Sequence, residues 1–168
     1  MVGGVILVAI GANLRDAQGR PPLETCRWAA AQLARLPGLR LAALSRWYAT
    51  APVPASDQPD YVNGVARLAG ATAPHAMLAA LHGIEARAGR VRGAPNAART
   101  LDLDLLAMDG LVVAEAGLRL PHPRMQDRAF VLAPLRDVAP EWRHPVLGRS
   151  AGQMLAATDS AAIHALFA

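Results

Sequence analysis

The sequence has only one cysteine, Cys26, so an intramolecular disulfide is impossible. A reducing compartment is the simplest interpretation, and the apolar helical setting of Cys26 favours a buried, inert thiol. No low-complexity tract is present and 53% of the 168 residues are apolar, which argues against intrinsic disorder. The apolar segment 1–10 is too short to span a membrane and lacks the basic start of a signal peptide. We therefore expect a single cytoplasmic domain spanning residues 1–168.

The common phosphate-binding and metal-binding motifs are also missing. There is no Walker A loop and no GxGxxG fingerprint, and no set of cysteines and histidines has zinc spacing. Lysine is absent, and we attribute its complete replacement by arginine to coding bias. The net charge of +4 suits a protein that attracts nucleotide phosphates, and would equally suit weak nucleic-acid binding.

The order of apolar patterns predicts the fold class. Apolar runs predict strands at 5–10, 39–48, 61–68 and 101–108, and helical spacing predicts helices at about 21–36 and 74–89. Asp109-Gly110 predicts a hairpin turn whose returning strand begins at 111–113, followed by short helices and loops. Strand, helix, strand, strand, helix, strand is the split β-α-β order of ferredoxin-like folds. An α/β (α+β) protein with one mainly antiparallel sheet flanked by helices is expected.

Two aspartates alternate with leucines along the fourth predicted strand, in the segment 99–105 with sequence RTLDLDL. Because strand side chains alternate between faces, the leucines point into a core and Asp102 and Asp104 share the opposite face, with Cα atoms about 6–7 Å apart. Adjacent carboxylates repel each other, and a divalent cation removes that penalty. Mg²⁺ prefers one or two carboxylates together with waters and substrate phosphates. The pair therefore indicates Mg²⁺ binding, with a solvent-facing strand as the alternative.

A basic segment precedes the aspartates. Arg90, Arg92 and Arg99 flank a loop that contains glycine and proline. Phosphoryl transfer requires alignment and cations against the phosphate oxygens, and the planar guanidinium can hold two oxygens at once. A solvated basic loop is the alternative interpretation of these arginines alone.

Aromatic residues make up only 4% of the chain, so their positions are informative. Tyr61 and Asn63 share a face of the third predicted strand. Tyr61 can stack on a planar heterocycle, and Asn63 offers both the donor and the acceptor that an aminopyrimidinone edge requires. Phe130 could supply the second side of a ring sandwich. Core packing is the alternative for each aromatic residue.

Several stretches together resemble one known family, that of 6-hydroxymethyl-7,8-dihydropterin pyrophosphokinase in folate biosynthesis. They are AIGANL at 9–14, DQPDYVN at 57–63, GRVR at 89–92, RTLDLD at 99–104, LPHP at 120–123 and RAFVLAPL at 128–135. They occur in the family's order and at nearly its spacing. The resemblance implies an enzyme, a diphosphokinase with a ferredoxin-like fold, that transfers pyrophosphate from ATP to the pterin hydroxymethyl group and releases AMP.

The resemblance also implies a role for each candidate residue. Asp102 and Asp104 would bind two Mg²⁺ ions, and Arg90 and Arg99 would be the catalytic arginines. The pterin-binding residues would be Thr50, Ala51, Val53, Tyr61, Asn63 and Phe130. The nucleotide-binding residues would be Glu85, Arg92, Arg99, His122 and Arg128. ATP would be the co-substrate, and we expect a cytoplasmic monomer that binds these small molecules and neither nucleic acid nor membranes.

Three departures from the family pattern concern the site. The loop 93–98 is one residue shorter than in the best-known members and lacks their lid tryptophan and a nearby lysine, which predicts looser closure or different contacts. Ala51 stands where proline is usual, and Pro123 replaces an aromatic residue of some members. Two rival functions stay open: an RNA-binding module built on a ferredoxin-like sheet, and a degenerate member that binds without turnover.

Overall fold

The computed structural model describes residues 4–52, 55–89 and 100–166. Its strands are β1 (Gly4–Ala12), β2 (Leu39–Leu44), β3 (Tyr48–Thr50), β4 (Tyr61–Gly70), β5 (Asp102–Met108), β6 (Val113–Glu115), β7 (Leu118–Leu120) and β8 (Ile163–Ala165). Its helices are α1 (Pro22–Ala34), α2 (Pro74–Arg87), α3 (Ala129–Val138) and α4 (Ala151–Ala156), with a 3-10 turn at Met125–Asp127. Within these ranges, none of the helices combines the length and the apolar character needed to cross a bilayer.

Both long helices begin at a proline, whose fixed φ suits the first helical turn. The buried positions of α1 recur at helical spacing, and those of α2 include one acidic residue, Glu85, among apolar ones. The apolar face of each helix packs on the sheet. These boundaries confirm the helices predicted from the sequence to within two or three residues.

The main sheet is antiparallel throughout and has the order β5-β1-β4-β3-β8, with β2 also pairing with β4. β1 is therefore central, as its apolar character on both faces predicts. One apolar cluster joins α1 and α2 to one face of the sheet, and a second joins α3 and α4 to the other. The mainly antiparallel sheet with flanking helices confirms the predicted fold class.

The single strand predicted at 39–48 is wrong, because the structure divides it into β2 and β3. Between them, Ser45 Oγ accepts a hydrogen bond of 2.9 Å from the backbone N–H of Val65. The Trp47 ring lies so close to Gly64 that a Cβ there would meet it at 2.5 Å. Because the large Trp47 ring is buried against Gly64, the chain between β2 and β3 leaves its regular pairing with β4. This is a tertiary contact, which the alternation of apolar and polar residues in the sequence does not predict.

The prediction that a strand beginning at 111–113 returns to pair with β5 is also wrong. Asp109 does form the turn, with φ at 51°, but its carboxylate accepts a hydrogen bond of 2.8 Å from the backbone N–H of Val5. The turn is thus tied to β1, and the chain continues into a separate two-stranded sheet in which β6 pairs with β7. Among the described residues, no further strand pairs with the outer edge of β5, which instead forms hydrogen bonds with the Glu85 side chain of α2 and with the backbone N–H of His122.

Candidate active site

The strand register brings the aspartate pair together on one face of the sheet, next to β1. Asp102 lies opposite Gly11 of β1, and Asp104 lies opposite Ala9. The intervening leucines, Leu101, Leu103 and Leu105, are 5% exposed or less and belong to the core cluster on the other face. The prediction that the two carboxylates share a face is confirmed.

One cavity of the described residues has a volume of about 760 Å³ and is here called the first cavity. Both aspartates border it, together with residues of β1, β3, β4, α3 and the C-terminal segment. Of the residues predicted to bind a pterin, it is lined by Thr50, Ala51, Tyr61, Asn63 and Phe130. The sixth, Val53, lies outside the described residues. A cavity of this size suits a small planar ligand.

Asn63 is held rigidly in the floor of the first cavity. It is 8% exposed, and its side-chain amide donates a hydrogen bond of 2.9 Å to Thr50 Oγ1. Across the sheet it faces Gly11, where a Cβ would lie 2.9 Å from Asn63 Oδ1. Glycine at position 11 therefore leaves room for the Asn63 amide. The amide is held in an orientation in which a flat ligand could form hydrogen bonds with it.

Phe130 and Arg128 enter the first cavity from the start of α3. The Arg128 guanidinium carbon lies 5.6 Å from the centre of the Phe130 ring. Phe130 is partly buried at the margin of the second core cluster, so its ring is held from behind while one side borders the cavity. Tyr61 and Phe130, the two aromatic residues predicted to sandwich a ring, thus border the same cavity. The Arg128 guanidinium lies next to Phe130.

A second cavity, of about 380 Å³, lies on the other side of the aspartates. It is bordered by α2, β5, β7 and the turn after β7, and includes the predicted nucleotide residues Glu85 and His122. Asp102 and Asp104 border both cavities. Arg128, also predicted to bind nucleotide, borders the first cavity. The carboxylate pair thus stands at the junction of two spaces suited to two ligands.

His122 borders the second cavity and is held there by two hydrogen bonds. Its backbone N–H donates a hydrogen bond of 2.8 Å to Leu106 of β5, and its Nδ1 accepts one of 3.2 Å from the backbone N–H of Arg124. Burial lowers the pKa of His122, and the positive charge of Arg128 lowers it further, against the opposing effect of Asp102. With Nδ1 accepting, the ring proton lies on Nε2.

Glu85 supports the aspartate strand. It is 2% exposed, and its Oε2 accepts a hydrogen bond of 2.9 Å from the backbone N–H of Leu103. Leu103 lies between the two aspartates on an edge strand, so this carboxylate satisfies an N–H that no strand pairs. Glu85 also borders the second cavity, so its predicted role in nucleotide binding stays a prediction beside this structural one.

The contact between Glu85 and β5 gives a stability prediction. Glu85→Ala removes the acceptor and leaves the buried Leu103 N–H unsatisfied, which is expected to lower the free energy of unfolding by about 2 kcal/mol. Glu85→Gln keeps an acceptor oxygen at the same place and is the matched control. Urea unfolding of both variants measures the difference, and equal midpoints for Glu85→Ala and wild type would contradict the proposed support.

Arg90, Arg92 and Arg99 lie outside the described residues, so their predicted catalytic and nucleotide-binding roles stay predictions. The site contains further residues that the sequence analysis did not single out. Gln58, Arg124 and Asp127 line the first cavity, and His82 and Arg119 line the second. Gln58 lies inside a quoted motif, and Arg124 and Asp127 each adjoin one, which was the available signal, whereas nothing local marked His82 and Arg119.

The donor set fits a hard divalent cation. Among the described residues, no group of three or more His, Cys, Asp or Glu side chains is arranged to hold a metal ion. Two adjacent, partly exposed carboxylates remain, which suits Mg²⁺ because that ion keeps waters and takes substrate phosphates as its other ligands. Zn²⁺ would require more ligands from the protein.

Comparison with protein families finds one matching model, described as 7,8-dihydro-6-hydroxymethylpterin-pyrophosphokinase, over residues 7–140. A protein of Pseudomonas aeruginosa named 2-amino-4-hydroxy-6-hydroxymethyldihydropteridine pyrophosphokinase is 43% identical over 152 residues, covering 90% of each chain. A protein of the same name from Synechocystis is 36% identical over 157 residues, covering 94% of this chain and 77% of its own length.

Solved structures support the same fold. The wild-type HPPK-DHPS structure from Plasmodium falciparum with STZ-DHP matches with a TM-score of 0.69 and 12% sequence identity. The match covers 92% of this chain and 43% of that chain, so this chain spans less than half the length of the two-part protein. At this identity the likeness concerns the fold alone.

Proposed function

This chain belongs to the 7,8-dihydro-6-hydroxymethylpterin-pyrophosphokinase family, and we propose that its two cavities divide the family's reaction between the two substrates. The chain is a pyrophosphokinase of folate biosynthesis that transfers pyrophosphate from ATP to hydroxymethyldihydropterin. In the proposal, the first cavity holds the pterin and the second holds the nucleotide.

The observation that carries the proposal is the shared border of the two cavities. Asp102 and Asp104 line both of them, so groups attached to ligands in either cavity can reach the same carboxylate pair. A transfer reaction requires the acceptor oxygen and the donor phosphate to meet at one point. No other pair of carboxylates lines both cavities among the described residues.

The reaction proposed at this point is an in-line displacement. The hydroxymethyl oxygen of the pterin loses its proton to water and forms a bond to the β-phosphorus of ATP, and the bond from that phosphorus to the oxygen on the α-phosphate breaks. AMP leaves with that oxygen, and the pterin keeps the β- and γ-phosphates. Asp102 and Asp104 would hold two Mg²⁺ ions, which when bound neutralise phosphate charge and acidify the attacking alcohol.

The residues around the aspartates have complementary roles in the proposal. His122 donates from Nε2 to a phosphate oxygen, since its Nδ1 already accepts a hydrogen bond. Arg128 supplies a fixed positive charge between the pterin and the phosphates. Arg90 and Arg99 neutralise the charge that develops as the β-phosphorus changes partners, and Arg92 binds the nucleotide.

The pterin is proposed to lie flat between Tyr61 and Phe130, with its amide-like edge on Asn63 and on backbone groups of Thr50, Ala51 and Val53. Support comes from the arrangement of five of these six residues around one cavity. Ring stacking contributes about 0.5–1.5 kcal/mol beyond area burial for each aromatic pair. The chain is further proposed to act as a cytoplasmic monomer on these small molecules, without nucleic acid.

The test of the proposal is release of AMP from ATP with and without 6-hydroxymethyl-7,8-dihydropterin, in the presence of Mg²⁺. We expect AMP to appear only when the pterin alcohol is present, in equal amounts with the pterin diphosphate. ADP as the product would contradict transfer of two phosphates. Binding of both ligands without AMP would identify a degenerate member, and RNA binding that weakens with salt would favour the rival function.

A further inference from the structure

The C-terminal strand β8 extends the main sheet beyond β3, and no pattern in the sequence predicted it. It pairs antiparallel with β3, placing Ile163 opposite Thr50 and Ala165 opposite Tyr48. The backbone N–H of Leu166 also donates a hydrogen bond of 2.8 Å to the carbonyl of Trp47. The last described residues are therefore tied to the strand that carries one of the proposed pterin-binding residues.

The register determines which side chain of β8 lies closest to the site. In an antiparallel pair, hydrogen-bonded and non-hydrogen-bonded positions alternate. Because Leu166 and Trp47 are hydrogen-bonded, Thr50 and Ile163 form a non-hydrogen-bonded pair, in which the Cα atoms approach to about 4.5 Å and the side chains are closest. Ile163 therefore packs beside Thr50.

Ile163 also borders the first cavity. Asp159, Ala162 and Ile163 line it, whereas no residue of the C-terminal segment lines the second cavity. Ile163 is partly buried and packs against the same core cluster as Phe130, so its position is supported from behind. A branched apolar side chain is thus held at the wall of a cavity whose floor is Asn63 and Thr50.

We propose that β8 is a wall of the pterin cavity and that Ile163 sets the width of the slot along the edge of the flat ring, beside Thr50. The inference rests on the proposed function of the first cavity and adds a specificity-determining residue to it. With Tyr61 and Phe130 proposed on the two faces of the ring, Ile163 closes the space at the edge of the ring, and empty space there would forfeit apolar contacts. Nucleotide binding in the second cavity is independent of Ile163.

Two substitutions test the wall from opposite directions. Ile163→Ala widens the slot and Ile163→Phe narrows it, and both are expected to weaken binding of 6-hydroxymethyl-7,8-dihydropterin about tenfold. His164→Ala is the matched control, because His164 is exposed on the same strand and lines neither cavity. Calorimetry measures pterin binding with a non-hydrolysable ATP analogue and Mg²⁺ present, and analogue binding alone.

The possible outcomes distinguish failure of the proposed role of Ile163 from failure of the proposed function of the first cavity. Weaker pterin binding in both Ile163 variants, with unchanged analogue binding and an unchanged His164→Ala variant, supports the wall. Unchanged pterin binding in the Ile163 variants overturns it. Equal losses for pterin and analogue, together with a lower melting temperature, overturn it as well, because they indicate a general structural role. Failure of the wild-type protein to bind the pterin would refute the proposed function itself.

Discussion

Replacing Asp102 or Asp104 with asparagine is expected to lower turnover at least about 10³-fold at saturating ATP and pterin. Asparagine has nearly the shape of aspartate but carries no charge, so β5 should keep its pairing with β1 while the divalent cation loses a ligand. Both side chains border both cavities, and among the described residues no other carboxylate does so. Steady-state AMP release measures the loss.

The control for this prediction is Glu141→Gln, which removes one negative charge from an exposed position that lines neither cavity. It should leave turnover within about twofold of wild type. Raising Mg²⁺ is expected to restore little activity to the aspartate variants, since the loss concerns alignment as well as affinity. Wild-type turnover in either aspartate variant at saturating Mg²⁺ would make the assignment of the pair wrong.

The second large effect is expected at Asn63. Asn63→Ala removes the amide that is held in the cavity floor by Thr50, and leaves the polar edge of the pterin without its partner. A buried polar group of the ligand that has no hydrogen-bond partner in the site weakens transition-state binding strongly. We therefore expect kcat/KM for the pterin to fall about 10³-fold. The KM for ATP should change little, because Asn63 does not line the second cavity.

Thr50→Val is the matched comparison for Asn63→Ala. It removes only the hydroxyl that accepts from Asn63, so the amide stays present but loses its anchor. We expect an intermediate loss in kcat/KM for the pterin, about 10-fold, in steady-state kinetics at saturating ATP. A larger loss for Thr50→Val than for Asn63→Ala would indicate that the hydroxyl, and not the amide, binds the ring.

Local patterns in the sequence were sufficient to predict the strands that carry the aspartate pair, Tyr61 and Asn63, and which face these residues occupy. The alternation of Leu101 to Leu105 with aspartates predicted which side chains are buried, and burial in the structure confirms it. Alternation also placed Tyr61 and Asn63 on one face, because a strand has no other way to order successive side chains. The roles of these residues depend on ligands and stay predictions.

Long-range packing explains what the sequence did not predict. The break between β2 and β3 depends on Trp47 meeting Gly64, and the pairing of β6 with β7 depends on Asp109 binding the start of β1. β8 has only three residues, and its place is set by β3. The support that Glu85 gives to Leu103 was equally hidden, since it joins residues 18 positions apart.

The most direct measurement of the central claim is a Mn²⁺ titration followed by electron paramagnetic resonance, with a non-hydrolysable ATP analogue and the pterin both present. Two ions bound per wild-type chain, and at most one tightly bound in Asp102→Asn or Asp104→Asn, is the expected result. The same number of ions, with the same affinity, in wild type and in both variants would contradict a cation site at the junction of the two cavities.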